Sequence, residues 1–69
     1  MKKLILFLVR KRLGLKEYQL FQFTNQKDKT VYYYFEPERI VKKYPRGVIY
    51  PSSVSLNWLL DDECEIERF

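Results

Sequence analysis

The stretch Thr30-Val31-Tyr32-Tyr33-Tyr34-Phe35 decides the fold, because all six of its residues are β-branched or aromatic. Side chains of these two kinds pack well on a pleated surface and favour extended strands. A second strand is predicted at residues 18–24, and the five polar residues between the two strands suit a hairpin loop. We therefore expect the fold to be built on an antiparallel hairpin.

Alternation along this hairpin divides its side chains between the two faces of a sheet, because successive residues of a strand point in opposite directions. On one face we expect the core, formed by Phe21, Phe23, Val31 and Phe35, with Tyr33 at its rim. The opposite face then carries three tyrosines that are able to contact water, Tyr18, Tyr32 and Tyr34.

Two further strands are predicted downstream, at residues 39–44 and at residues 48–50. They are separated by turns at Pro37 and at residues 45–47, because proline has no backbone N–H to donate to a ladder. The short strands and regular turns indicate an antiparallel meander.

The C-terminal third predicts a short helical turn followed by a last strand. Residues 54–60 have leucines at helical spacing (Leu56, Leu59 and Leu60) that would face the core, and Ser52 and Ser53 would cap the turn. Residues 64–69 alternate, with Cys64 and Ile66 inward and Glu65 and Glu67 outward. We expect this strand to pair beside one of the basic strands.

The N-terminal segment is compatible with two structures. As a helix it would place Leu4, Ile5, Leu8 and Leu15 on one face, docked on the sheet, and Gly14 would end it. As a strand, residues 4–9 would form a continuous buried run. The helix is favoured, because only two of those six residues are β-branched. The predicted class is therefore one α+β domain over residues 1–69, with four or five strands; the alternative is a nearly all-β fold.

The apolar run at residues 4–9 is too short for the core of a secretory signal and too short for a membrane-spanning helix. A secretory signal core needs about 7–15 apolar residues before a cleavage site of small residues, and a spanning helix needs about 20. Here six apolar residues meet Arg10-Lys11-Arg12. We expect the chain to stay in the cytoplasm.

The composition argues against catalysis and against cofactors. The 69 residues contain no histidine, one cysteine and two glycines, which removes the usual general base, an internal disulfide and a glycine-rich phosphate loop. The acidic residues near the C-terminus lack the spacing of a calcium loop, and Cys64 is expected to be a core residue. We predict no catalytic residue, no metal site and no cofactor.

Charge is distributed unevenly, with six basic and no acidic residues in residues 1–16 and five acidic residues against one arginine in residues 51–69. Basic side chains also lie close in sequence to the tyrosine-rich hairpin. A surface combining cations with aromatic rings suits macromolecular binding. The candidate interaction residues are Tyr18, Tyr32, Tyr34, Arg39, Lys42, Lys43 and Arg46.

Three functions are compatible with these features. The first is a non-enzymatic protein that binds a protein partner, or a second copy of itself, through the aromatic face or a sheet edge. The second is nucleic-acid binding through Arg39, Lys42, Lys43 and Tyr32, with cations for phosphates and rings for bases. The third is attachment of residues 1–12 to a membrane surface.

The order of these motifs also resembles a known group of proteins. A Tyr32-Tyr33-Tyr34-Phe35 strand is followed by a basic strand, by Ser-Leu-Asn-Trp-Leu-Leu-Asp-Asp at residues 55–62 and by Cys-Glu-Ile-Glu at residues 64–67. This pattern, over about residues 18–67, is similar to that of small uncharacterised proteins encoded by phages, prophages and other mobile elements of low-GC bacteria. The resemblance implies such an origin and no particular activity.

Overall fold

The computed structural model describes residues 2–69 and shows a small α+β fold, in which the N-terminal segment is a helix and not a strand. Two helices, five strands and one turn of 3₁₀ helix follow each other along the chain: α1 (Lys2–Arg12), β1 (Phe21–Phe23), β2 (Tyr32–Phe35), β3 (Ile40–Lys43), the 3₁₀ turn (Pro45–Gly47), β4 (Ile49–Pro51), α2 (Leu56–Leu59) and β5 (Ile66–Arg68).

The five strands form one antiparallel sheet in the order β4-β3-β2-β1-β5. The first four make the expected meander, and β5 returns to pair with β1, with Phe21 opposite Arg68 and Phe23 opposite Ile66. The expectation that β5 would pair beside a basic strand is wrong. Both sides of β3 are taken by β2 and β4, so the uncharged strand β1 supplies the free edge.

The core lies on one face of this sheet, called here the inner face. Phe21, Phe23 and Phe35 are buried there, as the alternation predicts, and Ile40 joins them from β3. The helices cover them with Leu6, Val9 and Leu59, and Tyr33 packs half-buried at the margin. Val31 was also predicted for the core, and it is buried, with 3% of its surface exposed.

The orientation of α1 differs from the expectation. Leu6 and Val9 face the sheet, whereas Leu4, Ile5 and Leu8 are exposed; Leu15, beyond the helix, is buried as expected. A helix brings residues three and four apart onto one side, so the row of Leu4 and Leu8 continues into Lys11 and Arg12. Burying that row would also remove two cations from water, at a high cost in free energy.

Gly14 ends α1 as the sequence predicts. Its φ of 71° is in the left-handed region, which a residue without a Cβ adopts at low cost. The Gly14 N–H donates to the carbonyl oxygen of Lys11 (3.0 Å), and the Leu15 N–H donates to that of Arg10 (3.1 Å). These two bonds satisfy carbonyl groups left free by the last turn and lead the chain to the buried Leu15.

The short helix α2 is capped later than expected. Ser55, not Ser52 or Ser53, is the N-cap, and its side chain accepts a hydrogen bond from the Trp58 N–H. Because the helix makes a single turn, its leucines separate: Leu59 is 2% exposed in the core, whereas Leu60 is 41% exposed. The expectation that Leu60 faces the core is therefore wrong.

The loop between β1 and β2 is held by side-chain amides. Gln22, 4% exposed, donates from Nε2 to the carbonyl oxygens of Lys29 (2.8 Å) and Val31 (3.2 Å). Gln26 accepts from the Phe23 N–H at 2.8 Å and donates to the same Val31 oxygen at 2.9 Å. The buried amide of Gln22 thus satisfies backbone carbonyls that the three-residue strand β1 leaves without ladder partners.

Candidate interaction surfaces

The sheet has a second face, called here the open face, on which the residues alternate with those of the core. Tyr32 and Tyr34 of β2 lie on it opposite Lys43 and Val41 of β3. In the part of the chain that the structure describes, both helices contribute their buried residues to the inner face. No helix therefore covers the open face within residues 2–69.

Two aromatic pairs lie on the open face. The rings of Tyr18 and Tyr34 are 5.8 Å apart, and those of Tyr32 and Phe69 are 5.3 Å apart and nearly perpendicular. Tyr18 and Phe69 are each 57% exposed, and the β2 rings are half-buried. Tilted and edge-on ring pairs at such distances stabilise each other, so the open face presents an ordered aromatic surface.

Tyr18 reaches this surface through an unusual backbone. Its φ is 62°, which is uncommon for a residue with a bulky side chain. The Tyr18 N–H donates to the carbonyl oxygen of Phe35 at 2.9 Å, and this bond ties the segment before β1 to the end of β2. Tyr18 thus lies outside the strand that the sequence predicted for it but on the expected face.

Part of the open face packs against itself. Val41 is 0% exposed there although no helix of the described chain lies above it. Tyr34 and Pro51 stand directly across from it on the two neighbouring strands, and residues opposite each other in a sheet are in side-chain contact. The Tyr34 ring therefore has a structural role, whereas Tyr18 and Phe69 are mostly available to a ligand.

Opposite charges balance on the open face. Arg39 forms an ion pair with Glu36, and this hydrogen bond raises the pKa of Arg39. Lys43 is half-buried opposite Tyr32, and Glu67 is exposed on the same face opposite Gln22. The face therefore combines aromatic area with little net charge.

A second group of aromatic residues surrounds Lys42 at the margin of the inner face, where the helices do not reach. Lys42 Nζ lies 5.2 Å from the ring centre of Tyr44 and 5.9 Å from that of Tyr33, and the rings of Tyr44 and Tyr50 are 5.6 Å apart. The pKa of Lys42 is raised, chiefly by the Tyr44 hydroxyl and next by Tyr33. These four residues, called here the Lys42 cluster, border a hollow of about 380 Å³.

The structure divides the seven candidate residues that the sequence predicted. Five lie on or beside the open face, while Lys42 points to the inner face and Arg46 lies exposed in the 3₁₀ turn. The sequence reasoning missed three residues: Phe69, which β5 brings to the open face, and Tyr44 and Tyr50, which join Lys42. Strand alternation could have placed Tyr44 on the same face as Lys42, because it follows two residues later. The positions of Phe69 and Tyr50 depend on strand register, which no local pattern gives. The five predicted residues that lie on or beside the open face are Tyr18, Tyr32, Tyr34, Arg39 and Lys43.

The two edges of the sheet differ in what they offer a partner strand. Bonds from Tyr44 to Val48 and from Ser52 to Ile40 direct the backbone of Ile49 and Pro51 outward, and Pro51 has no N–H. Proline at such a position prevents a further strand from pairing. At the other edge, the ladder of β5 with β1 directs the backbone of Ile66 and Arg68 outward.

The acidic C-terminal region has local contacts. Asp61 accepts a hydrogen bond from the Glu63 N–H at 2.8 Å. Burial, and secondarily the charge of Asp61, raises the pKa of the Cys64 thiol, and Cys64 packs half-buried against the core as predicted. Among residues 2–69 the structure groups no three acidic or cysteine side chains as metal ligands would be.

Comparison with protein-family models, with curated proteins and with solved structures finds no match to this chain.

Proposed function

We propose that this protein is a non-enzymatic interaction module that binds a protein partner through the open face. The observation that carries the proposal is the pair of aromatic contacts there, Tyr18 with Tyr34 and Tyr32 with Phe69. We further propose that the module acts in the cytoplasm, in keeping with its single cysteine, and that it derives from a phage or another mobile element.

The chemistry of the open face favours a protein over a nucleic acid. Tyrosine rings on a rigid sheet offer large apolar contact area with a polar tip and little loss of side-chain entropy, and tyrosine is frequent among the residues that dominate protein interfaces. Nucleic acids require concentrated positive charge. On the open face Arg39 is paired with Glu36, and the single charges of Lys43 and Glu67, on separate strands, cancel in the sum.

The face is a better candidate than the β4 edge. An added strand gains its affinity from backbone hydrogen bonds, and Pro51 removes one outward donor from a strand of three residues. A partner that packs on the rings of the open face needs no such bonds. We therefore place the contact on Tyr18, Phe69 and the rings beneath them.

Three side chains of equal exposure allow a matched test. Tyr18, Phe69 and Tyr50 are each 57% exposed, and only the first two lie on the open face. The tagged chain and the variants Tyr18→Ala, Phe69→Ala and Tyr50→Ala are used to capture partners from cells of the native host. The captured protein is then purified and its affinity for each variant is measured by calorimetry.

We expect Tyr18→Ala and Phe69→Ala to weaken binding of the purified partner at least tenfold, because truncating an aromatic contact residue costs about 1–2 kcal/mol or more. Tyr50→Ala should bind like the unchanged chain. Thermal unfolding of all three variants verifies that they remain folded. Equal affinity of all variants, or loss of binding with Tyr50→Ala alone, would overturn the proposal.

The Lys42 cluster supports a second candidate function, binding of single-stranded nucleic acid. A cation that lies between tyrosine rings beside an open hollow can contact a phosphate while a base stacks on an exposed ring such as Tyr50. The test is a ¹⁵N–¹H correlation spectrum titrated with short single-stranded DNA and RNA. Salt-sensitive shifts confined to the cluster would support this function, and no shifts at low salt would exclude it.

A further inference from the structure

The side of α1 that faces away from the sheet exposes four large apolar side chains, called here the outward surface of α1. Leu4 is 63% exposed, Leu8 58%, Ile5 49% and Phe7 41%. They lie within two turns of one helix, so they form a contiguous patch. Such a patch on a small domain indicates a site of contact with another apolar surface.

Basic residues accompany this patch, and no acidic residue occurs within α1. Leu8 is followed by Lys11 and Arg12 one turn later. The Phe7 ring lies 5.5 Å from the guanidinium carbon of Arg10 and 5.6 Å from Lys11 Nζ. Cations in the last turn are also favoured by the helix dipole. The outward surface is therefore apolar towards its first half and strongly basic at its end.

The positive charge of α1 distinguishes between the binding partners that could cover the patch. A second copy of the chain, packed helix against helix in parallel, would bring Arg10, Lys11 and Arg12 close to the same residues of its partner. Like charges brought together in this way repel. An anionic surface, in contrast, would be attracted to these cations while an apolar layer beneath it received the leucines.

We propose that the outward surface of α1 binds the surface of an anionic phospholipid bilayer. Leu4, Ile5 and Leu8 enter the boundary between headgroups and acyl chains, and Lys11 and Arg12 contact lipid phosphates. This arrangement is typical of helices that lie in the plane of a membrane interface, with apolar side chains below and cations at the headgroups. Within residues 2–69, no helix has the length and the apolar character to cross a bilayer.

The proposal is independent of the protein partner on the open face. The helix α1 packs on the inner face, so its outward surface and the open face are on opposite sides of the molecule. A chain bound to a membrane by α1 would present Tyr32 and Phe69 away from the lipid. The domain is therefore able to hold a partner at a membrane surface.

The test is co-sedimentation of the full chain with vesicles of phosphatidylcholine alone and of phosphatidylcholine with about one third phosphatidylglycerol. We expect binding to the anionic vesicles, little binding to the neutral ones, and a decrease with added salt. The apolar variant is Leu4→Gln/Leu8→Gln and the charge variant is Lys11→Glu/Arg12→Glu. Each should weaken binding on the order of tenfold or more.

Two control variants match these changes elsewhere on the surface. Val48→Gln/Ile49→Gln removes apolar side chains that are 46% and 42% exposed, and Lys27→Glu/Arg46→Glu makes the same change in net charge at exposed positions. We expect the apolar control to bind anionic vesicles like the unchanged chain and the charge control to lose far less than the α1 charge variant. Circular dichroism verifies the fold of every variant.

Three results would overturn the proposal. The first is failure of the unchanged chain to sediment with anionic vesicles. The second is equal binding to neutral and anionic vesicles, which would remove the role of Lys11 and Arg12. The third is full binding by Leu4→Gln/Leu8→Gln, because attraction by charge alone would then explain the sedimentation. None of these results bears on the partner of the open face.

Discussion

Lys42 and Lys43 are adjacent in sequence but lie on opposite faces of the sheet. Lys42 stands opposite Tyr33 on the inner face, with its ammonium group near the rings of Tyr33 and Tyr44. Lys43 stands opposite Tyr32 on the open face. The basic strand β3 therefore divides its charge between two surfaces, and the single basic and aromatic surface suggested by the sequence becomes two separate ones.

Charge reversal at these two positions should have different effects. We expect Lys42→Glu to weaken binding of single-stranded DNA and to reduce its salt slope by about 1, because one phosphate contact is lost. Lys43→Glu should leave DNA binding unchanged and should alter the affinity for a partner on the open face. Fluorescence anisotropy at several salt concentrations measures the DNA affinity of both variants. Equal effects of the two variants on DNA would contradict the assignment to the Lys42 cluster.

The two adjacent leucines at the end of α2 should differ sharply in their contribution to stability. Leu59→Ala removes a side chain that is 2% exposed and should lower the free energy of unfolding by about 2–5 kcal/mol. Leu60→Ala truncates a side chain that is 41% exposed and should change it by less than about 0.5 kcal/mol. Urea denaturation measures the free energy of unfolding of both variants. A similar loss in the two variants would show that Leu60 is buried after all.

Gln22 is expected to be the critical side chain of the hairpin loop. Gln22→Leu keeps a side chain of similar size but removes the donor to the carbonyl oxygens of Lys29 and Val31. The Val31 oxygen keeps its hydrogen bond from Gln26, so only the partly buried Lys29 oxygen loses its donor. The free energy of unfolding should therefore fall by about 1 kcal/mol, the lower end of the cost of an unpaired acceptor. Asn25→Ala, at an exposed loop position, serves as the control and should be nearly neutral. Hydrogen exchange of loop amides that speeds up only in Gln22→Leu would localise the effect.

Cys64 should make stability depend on pH in the alkaline range. Burial raises its pKa above the ordinary value of 9.0, so the folded chain holds the thiol proton more tightly than the unfolded chain does. The resulting stabilisation is complete below pH 9.0 and is lost as the pH rises through the folded-state pKa.

The measurement is the free energy of unfolding between about pH 8 and about pH 10.5, for the unchanged chain and for Cys64→Ala. The unchanged chain should lose more stability than the variant over this interval. The two proteins share every other ionisable group, so only the difference between their stability curves reports on the thiol. Parallel curves would contradict a raised thiol pKa.

Much of the fold could be predicted from local patterns. Alternation placed Phe21, Phe23 and Phe35 in the core, because side-chain direction along a strand has a period of two residues. Gly14 was correctly predicted to end α1. The N-cap of α2 was misplaced because three serines precede that helix, and the pattern of residue types alone does not distinguish among them.

The sequence by itself determined which segments form the strands and which residues of the hairpin are apolar enough to be buried, and it favoured a helix for the N-terminal segment while leaving a strand open. Only the tertiary structure decided which side of α1 faces the sheet, because apolar residues occur on both sides and the burial of Lys11 and Arg12 had to be avoided. It also decided that β5 pairs with β1. That pairing joins residues more than forty positions apart, and it places Phe69 beside Tyr32, a contact that depends on strand order and not on any local pattern.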